Sequence, residues 1–124
     1  MKRLAFIGEC MIELRDAGGG AMHRTFGGDT LNSAVYDVRC LNGMDVTVEY
    51  VTILGDDPFS SEMLAAWREE GIGTEFVTRQ PGAPPGLYAI RTDSSGEPVS
   101  IIGAANRRRA HSWPMPARRR FRMP

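Results

Sequence analysis

The sequence predicts an α/β fold, a parallel-sheet core with two helices that carries a small antiparallel β lid. Three observations predict it. Apolar residues Leu31, Ala34, Val35, Val38 and Leu41 fall at helical spacing, and a β-rich run from Val46 to Leu54 follows at once. A second helical pattern, with Phe59, Met63, Leu64 and Trp67 on one face, lies beyond that run. On either side of this core, turn-flanked segments read as strands of an appended sheet.

Each element has its own local signal. Residues 3–8 form a short apolar run that reads as a buried first strand, and Met11 to Arg15 alternates as a second. Gly18-Gly19-Gly20 makes a turn, from which Ala21 to Phe26 returns along its partner. The first helix is expected from Asp29 to about Leu41, ended by Asn42-Gly43 with Gly43 as a left-handed cap. Asp57 before Pro58 opens the second helix with proline in its first turn, and Gly71 stops it. Residues 75–78 are a further strand, 86–92 alternate as a half-exposed strand, and 97–102 return after the turn Asp93-Ser94-Ser95-Gly96.

Composition excludes several function classes. A chain of 124 residues with 42% hydrophobic residues can bury one ordinary core. No apolar run approaches the ~20 residues of a membrane span, and the N-terminal apolar run is too short for a secretory signal. Cys10 and Cys40 form no CxxC motif, and with two histidines in the chain no metal-ligand cluster is visible. Both cysteines are expected as small core residues in a reducing cytoplasm. The formal charge of zero conceals a division: residues 1–103 hold eight basic and fifteen acidic residues, residues 104–124 seven arginines and no acid. A domain at 1–103 is therefore expected to join an Arg/Pro-rich tail at 104–124 that lacks periodicity and should be disordered. Nucleic-acid binding by that tail is disfavoured, because it has no interleaved aromatics and no helix pattern.

The segment Phe26-Gly27-Gly28-Asp29-Thr30-Leu31-Asn32 carries the chemistry. Glycines where a loop enters a helix let backbone approach a ligand closely, and the helix start offers free N–H groups. Asp29 and Asn32 could then hydrogen-bond the hydroxyls of a polyol or sugar acid. Ordinary capping by Asp29, with nothing bound, explains the same pattern. On the pattern alone both readings stand.

Residues 2 to about 100 resemble the ribokinase-like (PfkB-type) carbohydrate kinases. The resemblance rests on Gly8-Glu9-Cys10-Met11-Ile12-Glu13-Leu14, the Gly27-Gly28 to Asn32 segment, Leu54-Gly55-Asp56-Asp57-Pro58-Phe59-Ser60, Glu70-Gly71-Ile72 and Pro85-Gly86-Leu87-Tyr88. The Gly-Glu-Cys-Met opening and the Gly-Leu-Tyr strand resemble the branch acting on 2-keto-3-deoxygluconate. The resemblance implies the N-terminal part of a ribokinase-like fold and transfer of the ATP γ-phosphoryl to the sugar-acid 6-hydroxyl. It implies that Gly28, Asp29, Thr30, Leu31 and Asn32 line the sugar site and that Tyr88 reaches in from the lid. Arg91 is a lesser candidate for the substrate carboxylate, and Glu9 for a place at the end of the first strand facing the site. ATP and Mg²⁺ are implied as cofactors of an intact member, and a second copy of the chain, docked through the lid sheet, as a candidate partner.

The chain departs from the family pattern after the lid. It contains no Asp-Thr-x-Gly-Ala-Gly-Asp segment, which in the family supplies the base and an anion hole, and no Walker-type loop. The expectation is therefore a kinase fragment without catalytic residues or an ATP site, inactive alone. The alternatives are a sugar-binding remnant and a non-functional product. Loss of one T after the Ser100 codon is compatible with restoring Tyr-Tyr-Trp-Arg followed by Ser-Ala-Ala-Arg, so the tail reads as frameshifted. An incomplete sheet should also expose apolar faces of Val46 to Leu54 and of both helices, and aggregation or a molten state is expected.

Overall fold

Strand β4 (Val46–Leu54) turns Val48, Tyr50, Thr52 and Leu54 to one face, and all four are buried. Against that face pack Leu31 and Ala34 of helix α1 (Asp29–Cys40) and Met63 and Trp67 of helix α2 (Pro58–Glu69). The rings of Tyr50 and Trp67 meet edge to face with centroids 5.0 Å apart. The structure, a computed structural model, describes residues 1–93, 95 and 97–103. The expected Arg/Pro-rich tail and its frameshift reading therefore lie outside the described residues, as do Ser94 and Gly96 of the expected hairpin turn.

β4 is the middle strand of a parallel three-stranded sheet between β1 (Lys2–Ile7) and β5 (Val77–Arg79). This is the parallel core the sequence predicts. The second sheet has the order β3-β2-β6-β7, built from β2 (Met11–Gly18), β3 (Ala21–Gly27), β6 (Gly86–Thr92) and β7 (Pro98–Gly103). Its two hairpins are antiparallel, but β2 and β6 run parallel, so the lid is mixed and not purely antiparallel. A parallel pairing needs a long connection, and here β3, both helices and the core strands β4 and β5 lie between the two strands. Alternation within each strand carries no information about that choice.

One helix boundary differs from the sequence expectation. Helix α1 ends at Cys40 with Leu41 as its C-cap, and Gly43, although left-handed at φ 86°, sits beyond the cap. The turn between β6 and β7 is organised by Asp93, whose Oδ1 accepts from the amides of Ser95 and Glu97. The expected exposure of Val46 to Leu54 is not found, since every residue of β4 is buried or half-buried between its two neighbouring strands and the helices, whereas Tyr36 on α1, Phe59 on α2 and Ile7 on β1 are exposed.

Helix α2 starts as expected, with Asp57 as N-cap and Pro58 in the first turn. Asp57 Oδ1 accepts from the Ser60 amide at 3.0 Å and Oδ2 from the Ser60 hydroxyl at 2.6 Å. The Ser60 hydroxyl in turn accepts from the Gly55 amide at 3.0 Å, tying the end of β4 to the helix. Burial pushes the Asp57 carboxyl up, but the bonds from Ser60 and nearby amides outweigh it and hold the group below its ordinary value. The stabilisation is therefore complete above the ordinary carboxylate range near pH ~4 and disappears as pH falls through the lower folded value. Asp57→Ala should cost about 0.5–2 kcal/mol at neutral pH. Its melting temperature should converge on that of the wild type in acid, as thermal melts across pH 2–7 would show.

Candidate functional site

Strand β3 runs directly into helix α1 through Gly27 and Gly28, and the geometry of this junction opens the site. Gly28 is the helix N-cap at φ 149°, a backbone conformation that favours glycine. A Cβ there would lie 2.6 Å from the carbonyl oxygen of Glu9. Gly27 makes room of a different kind, since a Cβ at that position would come within 2.9 Å of Glu13 Oε2. The helix begins at Asp29 and has no side-chain cap, so Asp29 is the first helical residue and the ordinary-capping explanation does not hold. No side chain among the described residues pairs with Asp29 or Asn32, and both are exposed.

Helical periodicity divides the segment between two tasks. Asp29 and Asn32, three residues apart, share the face turned to a cleft of about 390 Å³ that Gly28 also lines. Leu31 points the other way and is 4% exposed within the core. Thr30 is also turned from the cleft, its Oγ1 2.8 Å from the hydroxyl of Tyr50. Burial pushes the Tyr50 phenol up to about 12, so it stays neutral beside Thr30. Of the six residues expected at the site, the cleft gathers Gly28, Asp29, Asn32 and Tyr88, whereas Thr30 and Leu31 anchor the helix start from behind.

The opposite wall comes from the lid sheet. The parallel register pairs Met11 with Gly86, Glu13 with Tyr88 and Arg15 with Ile90. Paired residues of neighbouring strands share a face, so Tyr88 and Ile90 line the cleft together with Met11, Glu13 and Arg15. Arg91 falls on the other face, where its Nε lies 3.5 Å from Asp16 Oδ2, and takes no part in the cleft. Glu9 contributes its backbone carbonyl behind Gly28.

Glu13 and Arg15 are the functional candidates missed by sequence reasoning. Arg15 Nε donates to Glu13 Oε1 at 2.6 Å, and the Thr25 hydroxyl is 3.5 Å from the same oxygen. The hydrogen bond and charge of Glu13 hold the guanidinium in its charged form. Their alternation with Ile12 and Leu14 was the available signal, because it places both on one strand face. Which face meets the helix start is a matter of tertiary pairing. Of the two cysteines expected in the core only Cys10 is there, 2% exposed and with its thiol pushed up to about 12 by burial, whereas Cys40 is exposed at the last residue of α1. Among the described residues no group of three or more His, Cys, Asp or Glu side chains gathers to hold a metal ion.

Comparison with known proteins gives a consistent result. Residues 1–115 match the family described as pfkB family carbohydrate kinase. The chain is 52% identical over 96 residues to the 2-dehydro-3-deoxygluconokinase of Dickeya dadantii, covering 77% of this chain and 31% of that protein. It is 46% identical over 97 residues to the protein of the same name from Haemophilus influenzae, covering 78% and 31%. Its fold is similar to the crystal structure of 2-dehydro-3-deoxygluconokinase from Thermotoga maritima, with TM-score 0.71 and 21% identity over 85% of this chain and 33% of that one. The chain thus spans about a third of the length of the curated relatives it matches.

Because Gly28 combines a left-handed φ with a close backbone contact, Gly28→Ala should destabilise the chain by about 1–3 kcal/mol. Urea unfolding checks this, and an unchanged midpoint would contradict the geometry described.

Proposed function

This chain belongs to the pfkB family of carbohydrate kinases, and from that premise we propose that its cleft is the sugar-acid side of a kinase site. The reaction proposed for the whole enzyme is transfer of the ATP γ-phosphoryl to the 6-hydroxyl of 2-keto-3-deoxygluconate. The observation that carries this reading is the convergence of Gly28, Asp29 and Asn32 with Tyr88, from a segment more than fifty residues away, in one cleft.

The residue chemistry suits a hydroxylated acid of six carbons. The cleft volume of about 390 Å³ is of the size that holds a small metabolite. Asp29 accepts hydrogen bonds from hydroxyls, Asn32 both donates and accepts, and the Tyr88 ring packs on the carbon chain with its hydroxyl at the edge. Thr30 and Leu31 serve by fixing the helix start through Tyr50 and the core. A sheet above the ligand keeps water from competing for the phosphoryl group.

The cleft residues do not fit the nucleotide. Asp29 and Glu13 both line the cleft, and their negative charge opposes a polyphosphate there. ATP and Mg²⁺ are therefore proposed for the whole enzyme and assigned to no residue here. Without an Asp-Thr-x-Gly-Ala-Gly-Asp segment or Walker-type loop in its 124 residues, the chain by itself is proposed to bind the sugar acid without turnover. No helix among the described residues is long and apolar enough to cross a membrane, and a cytoplasmic setting is proposed with the rest. A second copy at the lid is also proposed, since β3 and β7 are the outer strands of that sheet.

Titration calorimetry of the 124-residue chain with 2-keto-3-deoxygluconate should give measurable heat. Asp29→Ala and Asn32→Ala should each weaken binding by about tenfold, the scale of one charge-assisted or well-placed hydrogen bond. A coupled ATP-consumption assay should show no turnover. Absence of binding heat would overturn the sugar-site reading, and clear turnover would overturn the proposal that the chain is inactive alone.

A further inference from the structure

Away from the cleft, the side chain of Arg24 on β3 bridges the lid sheet to helix α2. Its guanidinium carbon lies 5.5 Å from the ring centroid of Phe26 on its own strand and 5.0 Å from that of Phe59 on α2. One Nη donates to the carboxylate of Glu62, three residues beyond Phe59 on the same helix. None of these four residues lines the cleft. We propose that Arg24 is a positioning residue, a latch that fixes the β2–β3 hairpin on α2 and so holds the lid wall opposite Asp29 and Asn32. Its effect on a ligand rests on the sugar-acid reading above.

Strand alternation explains why the latch sits at Arg24. Met11, Glu13 and Arg15 face the cleft, so Ile12 and Leu14, paired with Phe26 and Arg24, face the other way. Ile12 belongs to the core, and Leu14 and Phe26 pack against it. Further along that face, Met22 is exposed opposite Asp16, and the hairpin turns through Gly19 and Gly20. Arg24 therefore stands where packing on the core gives way to solvent. Its receptor is firm, because Phe59 and Glu62 share one face of a helix whose start is tied to β4 through Asp57, Ser60 and Gly55. A lone exposed ion pair holds little, but here a planar cation meets two ring faces as well as a carboxylate.

The latch is coupled to the cleft through the strand that carries it. Thr25 lies between Arg24 and Phe26 and points to the opposite face, where its hydroxyl is 3.5 Å from Glu13 Oε1. Glu13 in turn is paired with Tyr88 across the β2–β6 register. Whatever fixes β3 at Arg24 thus fixes the height of Glu13 and Tyr88 above the helix start. A second cavity, of about 150 Å³, lies behind β3 and is lined by Phe26, Leu31, Val35 and Trp67. It gives the Phe26 ring room to shift once the guanidinium no longer pins it, so loss of the latch should loosen the hairpin without unfolding the core.

Amide hydrogen exchange and titration calorimetry with 2-keto-3-deoxygluconate, both on the 124-residue chain, separate the latch from a general stabilising role. Arg24→Met keeps an unbranched side chain but removes the cation. It should speed exchange in residues 12–16 and 22–26 by about tenfold while the amides of β4 keep their rates. The same variant should weaken binding by about three- to tenfold. Arg24→Lys keeps a cation for the rings and for Glu62 and should restore most of both readouts. Unchanged exchange in the hairpin, or equal acceleration in β4, would overturn the latch. Faster hairpin exchange with unchanged affinity would overturn its positioning of the cleft wall, and failure of Arg24→Lys to restore either readout would overturn the role of the charge. If the wild type gives no binding heat, the sugar-acid reading falls, and the exchange comparison by itself decides whether Arg24 latches the hairpin.

Discussion

The parallel pairing of β2 with β6 is the constraint on which the site depends. It joins an N-terminal hairpin to a second hairpin that arrives only after both helices and the core sheet have been built. Its register sets Tyr88 beside Glu13 and Ile90 beside Arg15, and so converts two separate alternating strands into one wall. A slip of one residue would turn Tyr88 to the face now occupied by Arg91 and remove it from the cleft. The lid wall of the cleft is thus a product of long-range strand pairing, with each strand contributing alternate residues.

The facing wall depends on a division of labour within four residues. Asp29 and Asn32 remain open to the cleft because Leu31 and Ala34 on the opposite side of α1 are buried against β4. Burial of a leucine side chain stabilises by about 1.5–3 kcal/mol, enough to fix the rotation of a short helix about its axis. The Thr30 to Tyr50 hydrogen bond adds a directional tie at the same point. Gly28 completes the junction by adopting a conformation that other residues resist, which lets the chain turn from β3 into the helix above the Glu9 carbonyl. The residues that face the ligand space are therefore held by neighbours that never touch it.

Electrostatics then distinguishes the two ends of the cleft. Asp29 stands at the helix start, where the partial positive charge of the helix favours a carboxylate. Arg15 stands on the lid wall, held by Glu13 and exposed to the ligand space. Because Glu13 pairs with Arg15 at 2.6 Å, the lid wall is close to neutral and the unpaired charge of the cleft is that of Asp29.

Much of the fold was legible from local chemistry. Asp57-Pro58 marked the start of α2, the spacing of Leu31, Ala34, Val35 and Val38 marked α1, and the β-rich run after Val46 marked the central strand. The Gly27 to Asn32 motif pointed to a ligand junction because its residue types suit hydroxyls and close backbone approach. What that motif could not disclose is that Thr30 and Leu31 turn inward, since a linear pattern names a segment while helix rotation selects its faces. Nor did Asp29 reveal that it is the first helical residue and not the cap, a distinction decided by the φ of Gly28. By itself, then, the sequence determined the elements, their order and the glycine junction where β3 enters α1, because propensity, periodicity and turn chemistry are local. Only the tertiary structure decided that β2 and β6 run parallel, and hence that Tyr88, Glu13 and Arg15 share a wall. That choice rests on contacts between segments some seventy residues apart, whose burial no local pattern encodes.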